Sequence, residues 1–470
     1  MDAAPADVAI VGGGASGTLL AGHLLRSGAG GPVVVVERAE ALGLGVAYST
    51  EDPRHLLNVP AGGMSARCDA PDHFLDWLSS EGEPVEPGAF VPRATYGRYL
   101  RASLDEAERG SERPLLRVRG DARSVRVVPE GVEVEVAGAE PVWARRLALA
   151  PGNAPPAPLR FVPAGPRHVA NPWDPRALDG VGADDPVLLV GTGLTAVDVV
   201  LSLASRGHRG PIRAVSRHGL LPQVHRPPAD HRLPLRALPA PPRPPSIARL
   251  LRWVRTEVRA AEAEGGDWRD VMNAVRPWAQ ELWLELPPAE RRRFLAILSR
   301  HWGVHRHRMA PEVGATIEAL IEEGRLEVLA ARVGEVREGS NGFEVIAEAR
   351  SGGVVRLPAS WIVNCTGPDP DPERSSEPLV VSLLRRGLAR RDPLGLGFDC
   401  TPEGALVDAW GVASELLLAI GPPRLGSLWE TTAVPEIREQ AGRLTELLTA
   451  QAGTTRTSSP GLRQGTSAMR

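Results

Sequence analysis

The stretch Asp7-Val-Ala-Ile-Val-Gly-Gly-Gly-Ala-Ser-Gly17 decides the fold. Four apolar residues run into glycines, and Thr18-Leu-Leu-Ala-Gly-His-Leu-Leu25 continues with helical character. A buried strand thus ends in a tight turn that opens a helix. The spacing G-x-G-x-x-G falls on Gly12, Gly14 and Gly17. The first glycine permits the turn, the second lets backbone approach a pyrophosphate, and the third lets helix pack on strand. Ala15 and Ser16 lie in the helix start, where free N–H groups and a partial positive charge favour phosphate. A second apolar run, Val33-Val-Val-Val36, ends at Glu37, twenty residues past Gly17, with Arg38 beside it. A carboxylate there accepts hydrogen bonds from a ribose 2′-OH and repels a 2′-phosphate.

A second cradle of the same kind follows. Pro186-Val-Leu-Leu-Val190 reads as a strand, Gly191-Thr-Gly-Leu-Thr-Ala196 as G-x-G-x-x-A, and Asp198–Ala204 as an apolar-faced helix. Gly191, Gly193, Leu194 and Thr195 are the candidate phosphate contacts. The next strand, Ile212-Arg-Ala-Val215, ends in Ser216-Arg217-His218 instead of an acid. An arginine fork accommodates a 2′-phosphate, so Arg217, with Ser216, favours NADPH. The first cradle fits the ADP half of FAD and the second NADPH.

Composition narrows the chemistry. The 470 residues allow two or three domains, and a net charge of −3 offers nothing to nucleic acid. There is no lysine; all 54 basic residues are arginine. That removes Schiff-base catalysis and the lysine-bearing phosphate loop. Cys68, Cys365 and Cys400 form no C-x-x-C pair, which disfavours a disulfide framework and a dithiol redox centre. The first strand begins by residue 7 and no apolar run approaches 18 residues, so the expectation is a cytoplasmic protein with no membrane partner. A homo-oligomer is compatible with this composition. The Gly/Ser/Thr-rich tail 451–470 is expected to be disordered.

Between the cradles stands His55-Leu-Leu-Asn-Val-Pro-Ala-Gly-Gly-Met64, then Asp72-His-Phe-Leu-Asp-Trp-Leu78 at helical spacing. By residue type alone, Asn58 is an amide able to bond its own turn. The order Asn58-Val-Pro60, Met64, Asp69-Ala-Pro71 is similar to the signature after the first dinucleotide fold in flavin-containing monooxygenases. The block Leu56–Leu78 resembles more strongly a bacterial family of two-nucleotide flavoproteins. That family contains flavin-dependent amino-acid N-oxygenases, including enzymes that oxidise the aspartate nitrogen. The resemblance implies that Asn58 points its amide at the reactive edge of the flavin, with Val59 and Met64 nearby.

Two further strand ends carry the same resemblance. Leu147-Ala-Leu-Ala-Pro-Gly-Asn153 is similar to the Ala-Thr-Gly strand of these flavoproteins, with Pro151 in place of Thr; the implied backbone approach needs only Gly152. Ala359-Ser-Trp-Ile-Val-Asn-Cys-Thr-Gly367 resembles the strand at which family chains return to the flavin domain, and contributes Gly367. Leu416–Ile420 leads into Gly421, then Trp429-Glu-Thr-Thr-Ala-Val-Pro435 opens a helix over Glu436–Leu448. The resemblance sets Thr431, Thr432 and Ala433 against the flavin pyrimidine.

The expected architecture is α/β, with two Rossmann-like, three-layer ββα dinucleotide-binding domains. Residues 1–165 and 330–450 would form a discontinuous FAD domain. Residues 166–329 would form the NADPH domain, with an all-α insertion over about 245–310 containing Trp253, Trp268, Trp278 and Trp283 as its core. His301 and His305 at i, i+4, with His307, invite a metal reading, but Gly303 weakens a helix and no carboxylate is interleaved. No metal is expected. A basic loop near an anionic cofactor or a carboxylate substrate is the alternative, with His305, Arg306 and Arg308 as candidates beside a purely structural role.

Two cofactor sites imply hydride transfer from NADPH to flavin. Without a redox cysteine pair, molecular oxygen is the expected acceptor. Asn58 would then shield a C4a-peroxyflavin whose distal oxygen is attacked by an amine nitrogen, that of a small amino acid or a related amine. A sulfur nucleophile fits these residues equally. The rivals are an NADPH:acceptor flavin reductase and a non-catalytic FAD-binding redox sensor.

Overall fold

The computed structural model describes residues 5–227, 236–340 and 342–454, of which 451–454 by backbone alone. The first six strands are β1 (Ala6–Val11), β2 (Val33–Glu37), β3 (Leu115–Arg119), β4 (Asp121–Val128), β5 (Gly131–Ala137) and β6 (Val142–Leu149). Seven more follow: β7 (His168–Val169), β8 (Val187–Val190), β9 (Ile212–Ser216), β10 (Leu326–Gly339), β11 (Gly342–Ala349), β12 (Val354–Ala359) and β13 (Trp361–Asn364). The last two are β14 (Ala405–Val407) and β15 (Ala413–Ala419).

They make two sheets, each with a parallel core. In the first the order is β14-β15-β6-β1-β2-β3, with β5 pairing antiparallel to both β4 and β6. In the second it is β12-β11-β10-β9-β8-β13-β7. Both are Rossmann-like folds, and the second is nested in the first: β1–β6 precede it, β14 and β15 follow it. Strands β1 and β2 are almost wholly buried, which is why they read as unbroken valine-rich runs and not as alternation. On one face of the first sheet pack the helices Ala15–Arg26, Arg93–Arg109 and Val434–Thr454, sharing a core with Leu20, Leu24, Tyr96, Tyr99, Leu100 and Leu444.

Two boundaries differ from expectation. The sequence places the return to the first fold at residue 330, but β10 pairs parallel with β9 from Leu326↔Ile212 to Ala330↔Ser216. β13 then inserts between β8 and β7, so the second sheet keeps the chain through Asn364. The physical reason is that β10 is one long strand: its first half extends the parallel sheet, and past a bulge at Val333/Glu335 its second half forms a hairpin with β11. The tail expected from Gln451 is helical through Thr454, and residues 455–470 lie outside the described residues.

The all-α insertion consists of helices Ile247–Ala263, Trp268–Val275, Ala279–Glu285, Pro288–Ile297 and Ser299–Arg306. The last was expected as a loop because of Gly303. It forms nonetheless, since Trp302 Nε1 donates to Glu430 Oε1 at 2.7 Å and pins its inner face. Among the described residues no helix is long and apolar enough to cross a membrane.

Candidate functional site: two cradles and the junction between them

The two glycine turns are built alike. Gly12 N donates to Val36 O at 2.9 Å and Ala150 N to Val11 O at 2.8 Å. In the second fold Gly191 N donates to Val215 O at 2.8 Å and Cys365 N to Val190 O at 2.9 Å. Gly12 has φ +103° and Gly191 φ +121°, conformations that glycine adopts without strain. A Cβ on Gly12 would stand 2.2 Å from Ala150 O, and one on Gly191 2.1 Å from Cys365 O. Gly17 is equally closed, its added Cβ 1.9 Å from Gly12 O. These glycines are required by the fold itself. Gly14 and Gly193 differ: each caps a helix, Ala15–Arg26 and Leu194–Ser205, with no side-chain cap of its own. A Cβ on Gly193 would meet nothing within 4 Å, nor would one on Gly152 or Gly367. A Cβ on Gly14 would touch Gly45 Cα at 3.4 Å, so the open space lies in front of the second helix N-terminus, where it suits a ligand phosphate.

The ribose ends are opposite in charge. Glu37 takes the Gly13 N–H at 2.5 Å through Oε2 and the Ala39 N–H at 2.8 Å through Oε1, which holds a carboxylate at the end of β2. Its neighbour Arg38, a candidate cofactor contact, is instead committed to Glu377 at 2.9 Å and lies 3.8 Å from Asp121. At the corresponding end of β9, Ser216 Oγ meets Thr192 Oγ1 at 2.9 Å, leaving Arg217 in the lining of a cleft of about 750 Å³. Gly191, Gly193, Leu194, Thr195 and Gly367 line the same cleft. Gly367, expected at the return to the first fold, therefore stands at the second cradle, because β13 neighbours β8.

The sequence reading missed Arg300 and Arg332, which share this cleft with Arg217. Among the described residues none of the three has a carboxylate partner. Desolvation, with Arg300, Arg350, Arg217 and His301 around it, draws the His218 imidazole below its ordinary pKa. The patch is cationic and unneutralised. Arg300 comes from the helical insertion and Arg332 from β10, so neither falls near a nucleotide motif in sequence.

Asn58 sits where the two folds meet. Its carbonyl oxygen is 3.0 Å from His225 Nε2, and its own amide makes no hydrogen bond among the described residues. Flanking it, Met64 is buried in the first core and Val59 packs against that core. Arg93 forks onto Asp198 at 2.7 and 3.0 Å and donates to Leu56 O at 3.0 Å. His55 Nε2 lies 3.0 Å from both Asp198 O and Ser202 Oγ. The helix Leu194–Ser205 of the second fold is thereby tied to the Asn58 segment of the first.

The C-terminal segment closes the junction. Thr431 is fully buried; its hydroxyl donates to Gly421 O at 2.9 Å and accepts from Gln440 Nε2 at 2.8 Å. It clamps the Gly421 turn, whose absent side chain leaves room for Ser16 Oγ, 2.5 Å from an added Cβ. Thr432 and Ala433 immediately precede the helix that starts at Val434. Glu430 is buried at φ +63° and ion-pairs with Arg306 at 3.0 Å. Glu436 binds Arg276 at 2.5 Å and Arg306 at 3.3 Å. Arg306, a substrate candidate, is consumed by these acids. His305 packs edge-on against Trp268, ring centroids 4.7 Å apart, with Nδ1 2.8 Å from His301 O. Neither His305 nor Arg308 has an acidic partner among the described residues; Arg308 Nη2 donates to Asn273 Oδ1. Of the four tryptophans expected as insertion core, Trp283 fits, stacking on Trp429 at 4.8 Å, whereas Trp268 holds Arg269 over its ring at 4.5 Å.

The cysteines do not form a redox pair: Cys68 is exposed, Cys365 and Cys400 are buried, and all three are free. Burial pushes the Cys400 thiol up to about 12 and raises that of Cys365 as well.

Residues 9–154 match the FAD-NAD(P)-binding family model. This FAD-NAD(P)-binding match spans the first cradle, Asn58 and Gly152. Among curated proteins no sequence matches the chain. Solved structures do. The ornithine N-hydroxylase of Kutzneria sp. 744, with reduced FAD, NADP+ and L-ornithine, is 16% identical over 97% of this chain and 100% of that one, TM-score 0.66. A cadaverine monooxygenase of Erwinia amylovora bound to FAD is 13% identical over 99% and 100%, TM-score 0.67. The L-lysine 6-monooxygenase of Pseudomonas syringae is 16% identical over 95% and 99%, TM-score 0.64. A thioredoxin reductase of T. acidophilum is 10% identical over 95% of this chain and 99% of that one, TM-score 0.51.

Proposed function

We propose that the protein is an FAD-dependent, NADPH-consuming monooxygenase that oxygenates the nitrogen of a small amine. FAD would lie in the first cradle, along Gly12–Gly17 with its ribose at Glu37, and NADPH in the second, its 2′-phosphate at Arg217, Arg300 and Arg332. The two domains would be 1–165 joined to the chain after residue 364, and the nested segment between, all in the cytoplasm.

The observation that carries this reading is the pair of matched cradles with opposite charge at the ribose end. An acid at one and an unneutralised arginine patch at the other suit two different nucleotides. The open Gly152, Gly193 and Gly367 positions fit the passage of extended cofactors. Bound flavin supplies the hydride acceptor and the activation of oxygen. The protein's part is to hold donor and acceptor at the junction, exclude water, and present the Asn58 amide there as a hydrogen-bond donor. The balanced reaction is RNH2 + O2 + NADPH + H+ giving RNHOH + H2O + NADP+. The neighbouring N-oxygenating enzymes share this plan; so does a thioredoxin reductase, but dithiol exchange needs an accessible pair of thiols, and the two closest to the folds' cores are buried.

The test is direct. Purified protein should be yellow with FAD, bleach with NADPH without oxygen, and on aeration in the presence of an amine panel convert at least one amine to its hydroxylamine. Protein that binds no FAD defeats the reading. Rapid reoxidation giving only hydrogen peroxide with every amine would leave a flavin reductase.

A further inference from the structure

The helix Ser299–Arg306 runs along the second cleft. Arg300, Gly303, Val304 and His307 all line it, at i, i+3, i+4 and i+7, one helix face continued into the residue just past its end. Seven residues of helix span about 10 Å. Arg300 stands with Arg217 and Arg332 at the ribose end, so His307 lies well along the cleft from them. That far end adjoins the junction. Gln223 N donates to Val304 O at 2.9 Å, Met309 N to Gln223 O at 2.8 Å and His225 N to Met309 O at 2.9 Å. His225 Nε2 in turn reaches Asn58 O at 3.0 Å. A nucleotide whose 2′-phosphate rests on the arginines brings its nicotinamide toward this end. Three successive residues part company here: Arg306 turns to Glu430 and Glu436, Arg308 to Asn273, and His307 between them to the cleft.

The cleft is rich in donors and poor in acceptors. Its charged side chains are the guanidinia of Arg217, Arg300 and Arg332, and among the described lining residues none carries a carboxylate or a side-chain amide. Thr192 Oγ1 donates to Leu220 O at 2.6 Å, Thr366 Oγ1 donates to Asn364 Oδ1 at 2.7 Å, and Ser216 Oγ accepts from Gly219 N at 3.0 Å. The imidazole differs. Burial draws His307 below its ordinary pKa against the upward pull of Glu430, while Arg306 lowers it and Glu436 raises it, so the ring is neutral at neutral pH. A neutral imidazole has one N–H and one lone pair. The Gly303 carbonyl, one turn back, takes the N–H, and the second nitrogen is left as an acceptor.

We propose that His307 accepts the carboxamide N–H of the nicotinamide, so that the cleft recognises the reactive ring as well as the 2′-phosphate. This rests on NADPH occupying the second cleft and names the residue that orients its ring. The phosphate groups call for donors, which the arginines and the helix start supply. The carboxamide NH2 calls for an acceptor, and His307 is the ring system that offers one at the junction end.

The experiment uses nucleotides that differ at that group alone. The 3-acetylpyridine analogue of NADP+ carries a methyl in place of the NH2, the thionicotinamide analogue keeps the NH2, and adenosine 2′,5′-bisphosphate lacks the ring. Dissociation constants are measured by calorimetry on the FAD-loaded protein. The wild type should bind NADP+ about five- to tenfold tighter than the acetylpyridine analogue, with the thionicotinamide analogue close to NADP+. In His307→Leu the first ratio should fall within about twofold of one, with binding of adenosine 2′,5′-bisphosphate as in the wild type, and His307→Gln, whose amide oxygen is an acceptor, should keep part of the ratio. A wild-type ratio near one overturns the proposal, and so does a ratio unchanged in His307→Leu, which would give the carboxamide to a backbone carbonyl. Where His307→Leu does not fold, His307→Phe is read by the same criterion. Failure of adenosine 2′,5′-bisphosphate to bind the wild type would refute NADPH in this cleft and the proposal with it; its binding without discrimination between the rings refutes the role of His307 alone.

Discussion

Alanine at Gly193 and alanine at Gly191 should have opposite consequences, though the two residues share one turn. Gly193 has extended backbone, φ −82° and ψ −168°, and its added Cβ meets no atom within 4 Å. The fold should not register the change: melting temperature and FAD content stay as in the wild type, within about 0.5 kcal/mol. The methyl group projects into the space where a pyrophosphate would approach. Pushing that group back removes one charge-assisted hydrogen bond to the helix N-terminus, about 1.5–3 kcal/mol. The Kd for NADPH should rise roughly 10- to 100-fold, read from the NADPH dependence of anaerobic flavin reduction in a stopped-flow instrument. Gly191→Ala acts on the protein instead. Its backbone sits at φ +121°, and the new Cβ would lie 2.1 Å from Cys365 O. Relief requires β8 and β13 to part by about 1 Å, straining the turn and weakening the Cys365 N to Val190 O bond; a loss of roughly 3–5 kcal/mol follows. A domain of this size should melt about 10 °C lower. If Gly193→Ala leaves NADPH binding untouched while the protein stays folded, the second cleft is not the nucleotide site.

Arg217→Ala should raise the KM for NADPH about tenfold or more and leave that for NADH nearly unchanged; equal effects on both would count against a 2′-phosphate at this patch. Asn58→Ala should still accept hydride but release more of the consumed oxygen as hydrogen peroxide, measured with a peroxidase-coupled assay, and unchanged coupling would remove the amide from the chemistry. A double-mutant cycle on Arg93 and Asp198, whose two bonds of 2.7 and 3.0 Å join the folds, should give a coupling of about 1–3 kcal/mol in denaturant melts. Arg306→Met should cost roughly 3–5 kcal/mol by stranding the buried Glu430, and adding Glu430→Gln should return part of it. Failure of the second change to help would mean that Arg306 matters through packing alone.

How much of this was readable in the chain depends on the range of the interactions concerned. Both cradles were legible because strand, turn and helix start lie within about a dozen residues and each glycine has a local geometric duty. The insertion was legible from its helical periodicity. The helix Arg93–Arg109 is hard to read in the sequence: it is polar overall, and only the stripe Tyr96, Tyr99, Leu100, Leu104 and Ala107 betrays the buried face. The return at 330 was misplaced because a hairpin-like pattern at β10–β11 conceals that the first half of β10 belongs to a parallel sheet. Arg300, Arg332 and His225 were invisible as site residues for a plainer reason. Each reaches the junction from an element far away in sequence, and a lone arginine or histidine carries no local signature. Arg306 and Arg308 show the limit most sharply: two residues apart and alike in type, one is neutralised by Glu430 and Glu436 and the other is not.

The equivalence of the two folds also explains why the junction lies where it does. In each, the strand bearing the glycine turn is flanked by a parallel partner on either side, β2 and β6 around β1, β9 and β13 around β8. Each turn is closed on one side by the carbonyl of the residue just past its neighbour strand, Ala150 or Cys365. That leaves one approach to each turn, past the open Gly152 or Gly367. Helix Leu194–Ser205 then docks on Asp52, Arg54 and His55 and on Arg93 through Asp198, Ser202 and Ser205, which lie along its length. The docking sets the start of the second cradle against the Asn58 segment of the first. On the proposed reading, a rigid tie of this kind would keep a hydride donor and acceptor in register without a covalent link, while the outer wall is supplied from elsewhere. The insertion supplies it by gripping Trp429 and Glu430 through Trp283, Trp302 and Arg306. Wall and C-terminal segment are therefore one mechanical unit, and substitutions in that grip should alter coupling of oxygen use to product before they alter flavin reduction by NADPH. Glu430→Gln assayed for both quantities decides it: a slowed reduction with unaltered coupling would place the grip at the nucleotide side instead.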